Sequence, residues 1–592
     1  MCGICGIAGN KLEEYYKNRD IIKKMVMSLK GRGPDDQGYY FSKKCILGQA
    51  RLSIIDLITG NQPMKDKESD IWIVLNGEIY NYIELKKELS KKGYQFYTNS
   101  DTEVVLKAYL EYGKETPKHL DGMFSFAIWS EKNKELFIAR DRFGQKPFYY
   151  TKDNIGNFFF ASEIKSLFAS KKILGVLDQA TIDNYLSLLY VPAHKTVFKN
   201  INVLEPGHSI IYKNNKLKKE KYWNISFDTI KISKEEAKKE IRRLFENAVK
   251  RRMRADVPLG LFLSGGIDST IIAYLMQKNS SEKINTFSAG FENHINELPF
   301  AKEASEKFGT NHHEIQIKKG LTESLMKVSE YYDEPFADSS NIPTFLISQF
   351  SKNKIKVALG GDGSDELFLG YGWYSKFLGS HFFNRIKKAF YDPYDQYIKS
   401  IQYFSRNERR ELWGGESYLN KNFLNHEQSG EEAIEKINFF DIKNYLPGDI
   451  LTKLDRSSMM TSLELRNPFL DHHLAEFVFK LPWSYKFEGS KGKRILIEAF
   501  EDILPKSIHR KKQGFGGPVY NWLQKKDMKN LVFETLSKRN LEIKRFLNKE
   551  YISRIINDFY RAPEEKYSYA HKVWILLCLE LWFKNYKKYI KI

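Results

Sequence analysis

The chain begins Met1-Cys2-Gly3-Ile4-Cys5-Gly6. Loss of Met1, favoured by the small side chain behind it, would leave Cys2 with a thiol and a free α-amine on one residue. An α-amine has an ordinary pKa near ~8, so it can accept the thiol proton at cellular pH. Nucleophile and base would then be neighbours by covalent geometry. Three later segments add polar groups that suit a free amino acid as substrate. Arg51 opens RLSIID, Asn76-Gly77-Glu78 closes an apolar run in IVLNGEIYN, and Ser100-Asp101 precedes a helical pattern in NSDTEVVL. An arginine forks onto an α-carboxylate. Glu78 and Asp101 can hold an α-ammonium group. The Asn76 side-chain amide and the Gly77 N–H can form an oxyanion hole for a tetrahedral intermediate.

A second chemistry is written further on. The apolar run Leu259 to Leu263 enters Ser264-Gly265-Gly266-Ile267-Asp268-Ser269, and a helical pattern follows at once. Glycines let backbone N–H groups close on an anion, hydroxyls add donors, and the helix N-terminus favours negative charge. The spacing is not that of a Walker loop, which needs Gly-Lys-Ser/Thr after four variable residues. A second glycine-rich loop, Gly360-Gly361-Asp362-Gly363-Ser364-Asp365, follows another predicted strand. Acidic groups beside a phosphate loop suit Mg²⁺, which takes one or two carboxylates together with phosphate oxygens. Asp268 and Asp365 are the chosen ligands. His312-His313 and His472-His473 lack the i, i+4 spacing of a helical zinc pair and are read as structural.

These loops need scaffolds. With 592 residues, 42% hydrophobic and 28% charged, the chain is long enough for two cores and is not of disordered composition. Residues 1 to 215 carry short β-type runs, among them 71–75, 124–129, 136–139 and 157–161. Helical patterns are fewer, at 21–30, 82–91 and 103–112. The mixture predicts stacked, mainly antiparallel sheets under outer helical layers. A lysine-rich segment near 213–238 marks the boundary. From 230 on, helix and strand alternate (234–253, 258–263, 268–278, 284–288, 299–308, 355–359), predicting a doubly wound parallel sheet. Residues 372 to 592 read as nearly all helix, with a loop region at 444–471.

The excess of 94 Lys+Arg over 74 Asp+Glu gives +20. The basic clusters at 250–254, 509–512 and 584–591 are scattered and lack interleaved aromatics, so solvated faces are expected rather than nucleic-acid binding. Four cysteines in so long a chain make no disulfide framework, and reduced thiols in a cytoplasmic protein are expected. The apolar stretch 573–583 is too short to span a bilayer and reads as a buried helix, with Cys578 in the core.

Taken in order, MCGI, RGPD (32–35), RLSIID, NGEIYN and SDTE resemble the class II glutamine amidotransferase family, built on the N-terminal nucleophile fold of αββα layers. The resemblance implies that Cys2 attacks the glutamine side-chain amide, forms a thioester and releases ammonia. It also carries Arg51, Asn76, Gly77, Glu78 and Asp101 over as glutamine-site residues, and gives Cys5 no role. The string from Leu263 to Ser269 is similar to the SGGxDS loop of ATP pyrophosphatases. With DEPFADSSNIPT (333–344), the 445–471 stretch and Lys512 to Phe515, the chain resembles the glutamine-hydrolysing asparagine synthetases from its start to about residue 520. Two domains follow, 1–215 for glutamine hydrolysis and 230–592 for ATP-dependent synthesis with a helical extension.

The resemblance implies ATP binding at Leu263, Ser264, Gly265, Gly266, Asp268, Ser269, Gly360 and Gly361. Lys493 would steady the reacting phosphate, and Asp362 would assist amination. Arg456 and Arg466 are candidates for the carboxylate acceptor. Aspartate is the family's usual acceptor; a sugar uronic acid is the alternative. Partners would be small molecules only, with no nucleic acid or membrane, and a homodimer is compatible with the reading. Gly360 stands where the family usually has serine, and Ile497 where an arginine is expected.

Overall fold

The computed structural model describes residues 2–291, 297–317, 320–378, 393–415, 418, 432–505, 507, 516–537, 539, 541–561 and 567–591. The first domain holds two six-stranded antiparallel sheets. One runs Asn202–Val203, Tyr149–Lys152, Phe158–Ala161, Gly3–Ala8, Cys45–Arg51, Asp36–Phe41. The other runs Lys216–Lys221, His208–Lys213, Glu135–Arg140, Gly122–Ser130, Ile71–Ile79, Met64–Lys65.

The two-residue period of a strand explains why GICGIA and FFFA are apolar throughout. Ile4, Ala8, Phe158 and Phe160 face the other sheet and meet Val74, Ala127 and Ile138 there. Cys5, Ile7 and Phe159 face outward onto Ile22, Met25 and Val26 of the helix Asp20–Met27. On the far side, Ile73, Leu75 and Phe126 lie under Leu85 and Leu89 of Tyr82–Lys91 and Val104, Val105 and Ala108 of Asp101–Tyr112. The layering is αββα. Its second sheet continues past the expected boundary, because Lys216–Lys221 pairs along His208–Lys213.

The second domain is built on a five-stranded parallel sheet. Its order is Asn311–Ile317, Asn285–Phe291, Leu259–Phe262, Val357–Leu359, Glu464–Arg466. In chain order that is 3-2-1-4-5, so the winding reverses between Leu259–Phe262 and Val357–Leu359. A doubly wound sheet binds ligands beyond the carboxyl ends of the strands at such a reversal. Both glycine-rich loops leave from these two strands.

The stretch 444–471, expected as loop, is mostly helical: a π-helix Asp441–Ile450 runs into the helix Leu451–Met459, and the strand Glu464–Arg466 follows. Pro447 and Gly448 are breakers of an α-helix, but both are buried inside the wider π turn, where packing decides the conformation. The strand Asn311–Ile317, carrying His312 and His313, is a further element that residue patterns did not give. Cys578 lies buried in the helix Tyr567–Tyr586, and Cys2, Cys5, Cys45 and Cys578 are all free thiols. After that helix, Ile590–Lys591 pairs in parallel with Gly175–Val176 of the first domain. Among the described residues no helix is long and apolar enough to cross a membrane. The stretch 508–515, with the basic cluster and Lys-Gln-Gly-Phe motif predicted there, lies outside the described residues.

Candidate active sites

Cys2 sits just before the strand Gly3–Ala8 and is 6% exposed. Its backbone N–H donates to Asn76 Oδ1 at 3.3 Å, and its carbonyl accepts from Arg32 Nε at 3.2 Å. Burial pushes the thiol pKa up, so the sulfur needs a base before it can attack. Asn76 is fully buried and is steadied by its own Nδ2 donating to Ser162 Oγ at 3.4 Å. At Gly77, with φ +157°, an added Cβ would fall 2.1 Å from the Met123 carbonyl oxygen. Only glycine fits that approach.

Arg51 turns its guanidinium onto the 56–61 turn, donating to Asp56 O and Asn61 Oδ1, each at 2.6 Å. Asp101, the first residue of its helix, accepts from Ile79 N at 3.0 Å, and burial pushes its carboxyl up to about 6. Burial and the Asp101 charge also hold the Glu78 carboxyl well above the ordinary carboxylate range, while Arg466 pulls it down. The fold thus gathers Cys2, Arg51, Asn76, Gly77, Glu78 and Asp101 at one end of the sandwich.

That end faces the second domain. Arg32 bonds Asp455 through both Nη atoms, at 2.6 and 2.9 Å, and Glu163 at 3.1 Å. Glu464 reaches in from the parallel sheet close enough to act on the charges of Cys2, Glu78 and Asp101. Burial pushes its carboxyl up, but the chain's N-terminal ammonium first, and then Arg466 and Lys146, outweigh burial and hold it down at about 2. Arg32 was visible in RGPD as a motif residue, but nothing in its spacing gave Asp455 as its partner. Glu464 lay within the 445–471 stretch, but nothing there gave it a place beside Cys2.

The second site is a cavity of about 520 Å³ at the reversal of the parallel sheet. Leu263, Ser264, Gly265, Gly266, Asp268, Ser269, Gly360, Gly361, Asp362, Asp365 and Lys493 all line it. Gly265 has φ +68°, and a Cβ there would meet the Phe300 carbonyl carbon at 2.3 Å. Ser264 N donates to Ser269 Oγ at 3.2 Å, and Gly266 caps the helix Ile267–Lys278. The loop therefore wraps onto a helix N-terminus, the usual cradle for phosphate. The two loops touch, since a Cβ on Gly361 would lie 2.9 Å from Asp268 Cβ.

Lys493 stands between the acids, with Nζ 2.7 Å from Asp268 and 2.9 Å from Asp365. Burial opposes its charge, but the two carboxylates hold its pKa above the lysine norm. Asp268 also accepts from Ser364 Oγ at 2.6 Å. Burial pushes the Asp362 carboxyl up, with Lys453 pulling the other way and Asp365 and Asp268 adding to the rise. Lys453, 3.4 Å from Asp338, also lines the cavity, as do Tyr371 and Trp373, and sequence patterns had not singled these residues out.

Arg456 and Arg466, expected near an acceptor, are not among the cavity's lining residues. Arg456 pairs with Glu163 at 2.7 Å and Asp333 at 3.3 Å, and Arg466 with Glu464 and Glu78. Each is claimed by one buried carboxylate of the first domain, Glu163 or Glu78, and one of the second, Asp333 or Glu464. The basic cluster at 250–254 behaves alike: Arg251, Arg252 and Arg254 pair with Asp121, Asp471 and Glu84. His472 and His473 lie 3.4 and 3.1 Å from Asp121, on which Arg251 also sits. His312 meets Thr286 Oγ1 at 2.9 Å.

Comparison with known proteins agrees with this division. Residues 1–223 match the glutamine amidotransferase domain model and residues 240–584 the asparagine synthase model. The chain is 33% identical to glutamine-hydrolyzing asparagine synthetase 1 of Bacillus subtilis, over 98% of this chain and 96% of that one. Against asparagine synthetase 3 of the same organism the identity is 31%, covering 99% of each. A putative asparagine synthetase 2 of Methanocaldococcus jannaschii is 35% identical over 79% of this chain and its own entire length. Among solved structures, the Bacillus subtilis glutamine phosphoribosylpyrophosphate amidotransferase aligns with 54% of this chain and 70% of its own, at 17% identity and a TM-score of 0.29.

Proposed function

The chain belongs to the asparagine synthase family, and from that premise we propose that it makes L-asparagine from L-aspartate, L-glutamine and ATP. The observation that carries this reading is the cavity in which Lys493 is held between Asp268 and Asp365 under two glycine-rich loops.

At the first site the α-carboxylate of glutamine takes the Arg51 fork from the 56–61 turn, and Asp101 and Glu78 hold its α-ammonium. With Met1 removed, the Cys2 α-amine takes the thiol proton and the sulfur attacks the amide carbon. The oxyanion is met by Asn76 Nδ2 and the Gly77 N–H. Collapse of the tetrahedral adduct releases ammonia and leaves a thioester, which water hydrolyses to glutamate.

At the second site the β-carboxylate of aspartate attacks the α-phosphorus of ATP, and pyrophosphate departs. Ser264, Gly265, Gly266 and Ser269 donate to phosphate oxygens, and Lys493 offsets the charge building on the phosphorus and the leaving group. The oxygen donor set of Asp268 and Asp365, already bridged by one cation, fits Mg²⁺, which when bound would neutralise phosphate charge. Ammonia crossing the interface attacks the acyl carbon of the aspartyl adenylate, and AMP leaves. Asp362, whose buried carboxyl readily holds a proton, is the acceptor for the proton the nitrogen sheds.

The test is pyrophosphate release with ATP, Mg²⁺ and glutamine, with and without L-aspartate, beside an asparagine assay. Matching aspartate-dependent yields are expected. Glutamine hydrolysis with no aspartate-dependent pyrophosphate would refute aspartate as the acceptor and leave a uronic acid as the alternative.

A further inference from the structure

The strand Glu464–Arg466 is the edge of the parallel sheet, and its charged side chains enter the glutamine site rather than the ATP cavity. Arg466 is fully buried and anchored through Nε and Nη1. Its Nε donates to Glu464 Oε1 at 2.6 Å, and Nη1 donates to the carbonyls of Arg252 and Arg254 at 2.9 and 2.6 Å. Nη2 lies 3.1 Å from Glu78 Oε2. On the main chain, the carbonyl of the same residue accepts from Gly360 N at 2.9 Å, where the second nucleotide loop begins. One residue is therefore ion-paired with a carboxylate of the first site and hydrogen-bonded to the backbone of the second.

Glu78 and Asp101 are both buried, and Arg466 is a cation that offsets their charge. An arriving α-ammonium brings another cation to the same two carboxylates and weakens the hold of Glu78 on Arg466. The guanidinium cannot swing away, because Glu464 and two carbonyls clamp it. Any adjustment must be taken up by the short strand and by Gly360, from which Asp362 and Asp365 are two and five residues away.

We propose that Arg466 is a positioning residue that couples the two sites, so that glutamine bound at Glu78 alters ATP affinity at the Gly360 loop and ATP alters glutamine affinity in return. Linkage requires the two effects to be equal. The inference rests on the glutamine site proposed above.

A Cys2→Ala full-length chain, which can hold glutamine without consuming it, provides the test. Its Kd for α,β-methylene-ATP with Mg²⁺ is measured with and without glutamine, and its Kd for glutamine with and without the analogue. The expected shift is about fivefold or more and the same in both directions. Adding Arg466→Gln together with Glu464→Gln removes one buried cation and one buried anion. That chain should bind both ligands with the mutual shift reduced to about twofold or less. No shift in the Cys2→Ala chain, or a shift that survives the added pair, overturns the coupling. Should the added pair prevent folding, amide exchange in residues 357–366 of the Cys2→Ala chain decides: protection there should change on adding glutamine, and unchanged protection overturns the inference. Absence of a glutamine isotherm would overturn the glutamine site itself and this inference with it.

Discussion

The two sites solve opposite electrostatic problems. The first keeps its ions one step back from the nucleophile: around the buried thiol stand a side-chain amide and a glycine N–H, while Arg51 and Glu464 act on it through their charge and burial drives Glu78 and Asp101 toward their neutral forms. It suits an attack that begins and ends with neutral groups and needs a base for the thiol proton and donors for the oxyanion. The second is an ionic lattice in which Lys493, Asp268 and Asp365 neutralise one another until an anionic substrate rearranges them. A site for transient charge is built from dipoles, and a site for permanent phosphate charge is built from ions and a helix N-terminus.

That contrast can be broken most severely at the nucleophile. Cys2→Ala should lower glutamine hydrolysis and glutamine-dependent synthesis by on the order of 10³-fold or more. Ammonia-dependent pyrophosphate release should stay near the parent rate, as a coupled pyrophosphate assay would record; a parallel fall would mean the sites are not chemically separate.

Lys493→Met should lower pyrophosphate release by about 10²–10³-fold, since a charge aimed at the reacting phosphate is lost. Glutaminase activity measured as glutamate release should hold, which places the damage in the second site alone. Asn76→Ala removes one oxyanion donor and should lower kcat for glutamine by about 10²-fold with little change in KM. Steady-state kinetics that put the loss in KM would instead make Asn76 a binding group.

The mildest effect is on pH. Asp101, pushed up to about 6 by burial, is ionised above that pH and neutral below it. As pH falls from 7 to 5 it loses the charge that pairs with the α-ammonium, so KM for glutamine should rise by about tenfold. In Asp101→Asn, KM should start high and vary little over that range.

Much of this was legible in the sequence because both sites depend on local strings. The SGGIDS loop, the Gly360 loop and the Asn76-Gly77 step each carry their own geometry, and the strands before the two nucleotide loops fell close to the positions expected. Stacked sheets under helical layers were expected from many short β-type runs with few helical patterns, and the αββα order from the family resemblance. What the sequence hid is what depends on partners far along the chain. Arg456 and Arg466 look like substrate cations until Glu163, Asp333, Glu464 and Glu78 are placed around them. The π-helix at 441–450 was hidden for a different reason: proline and glycine break an α-helix but are tolerated in a wider turn that packing holds in place.

The core beneath the first sheet is shared by the two ends of the chain. Cys5, Ile22 and Phe168 belong to the same apolar cluster as Trp582 and Tyr586, and Phe168 stacks on Tyr589 with ring centroids 5.1 Å apart. On a ribosome adding 5–20 residues per second, roughly 20–80 s separate the emergence of the first domain from that of the helix that caps it. During that interval the apolar side chains that the late helix covers, such as Phe168 and Tyr185, are bare to solvent. With this layout, yield on expression should depend more on how long those side chains wait for the last helix than on the stability of the finished enzyme.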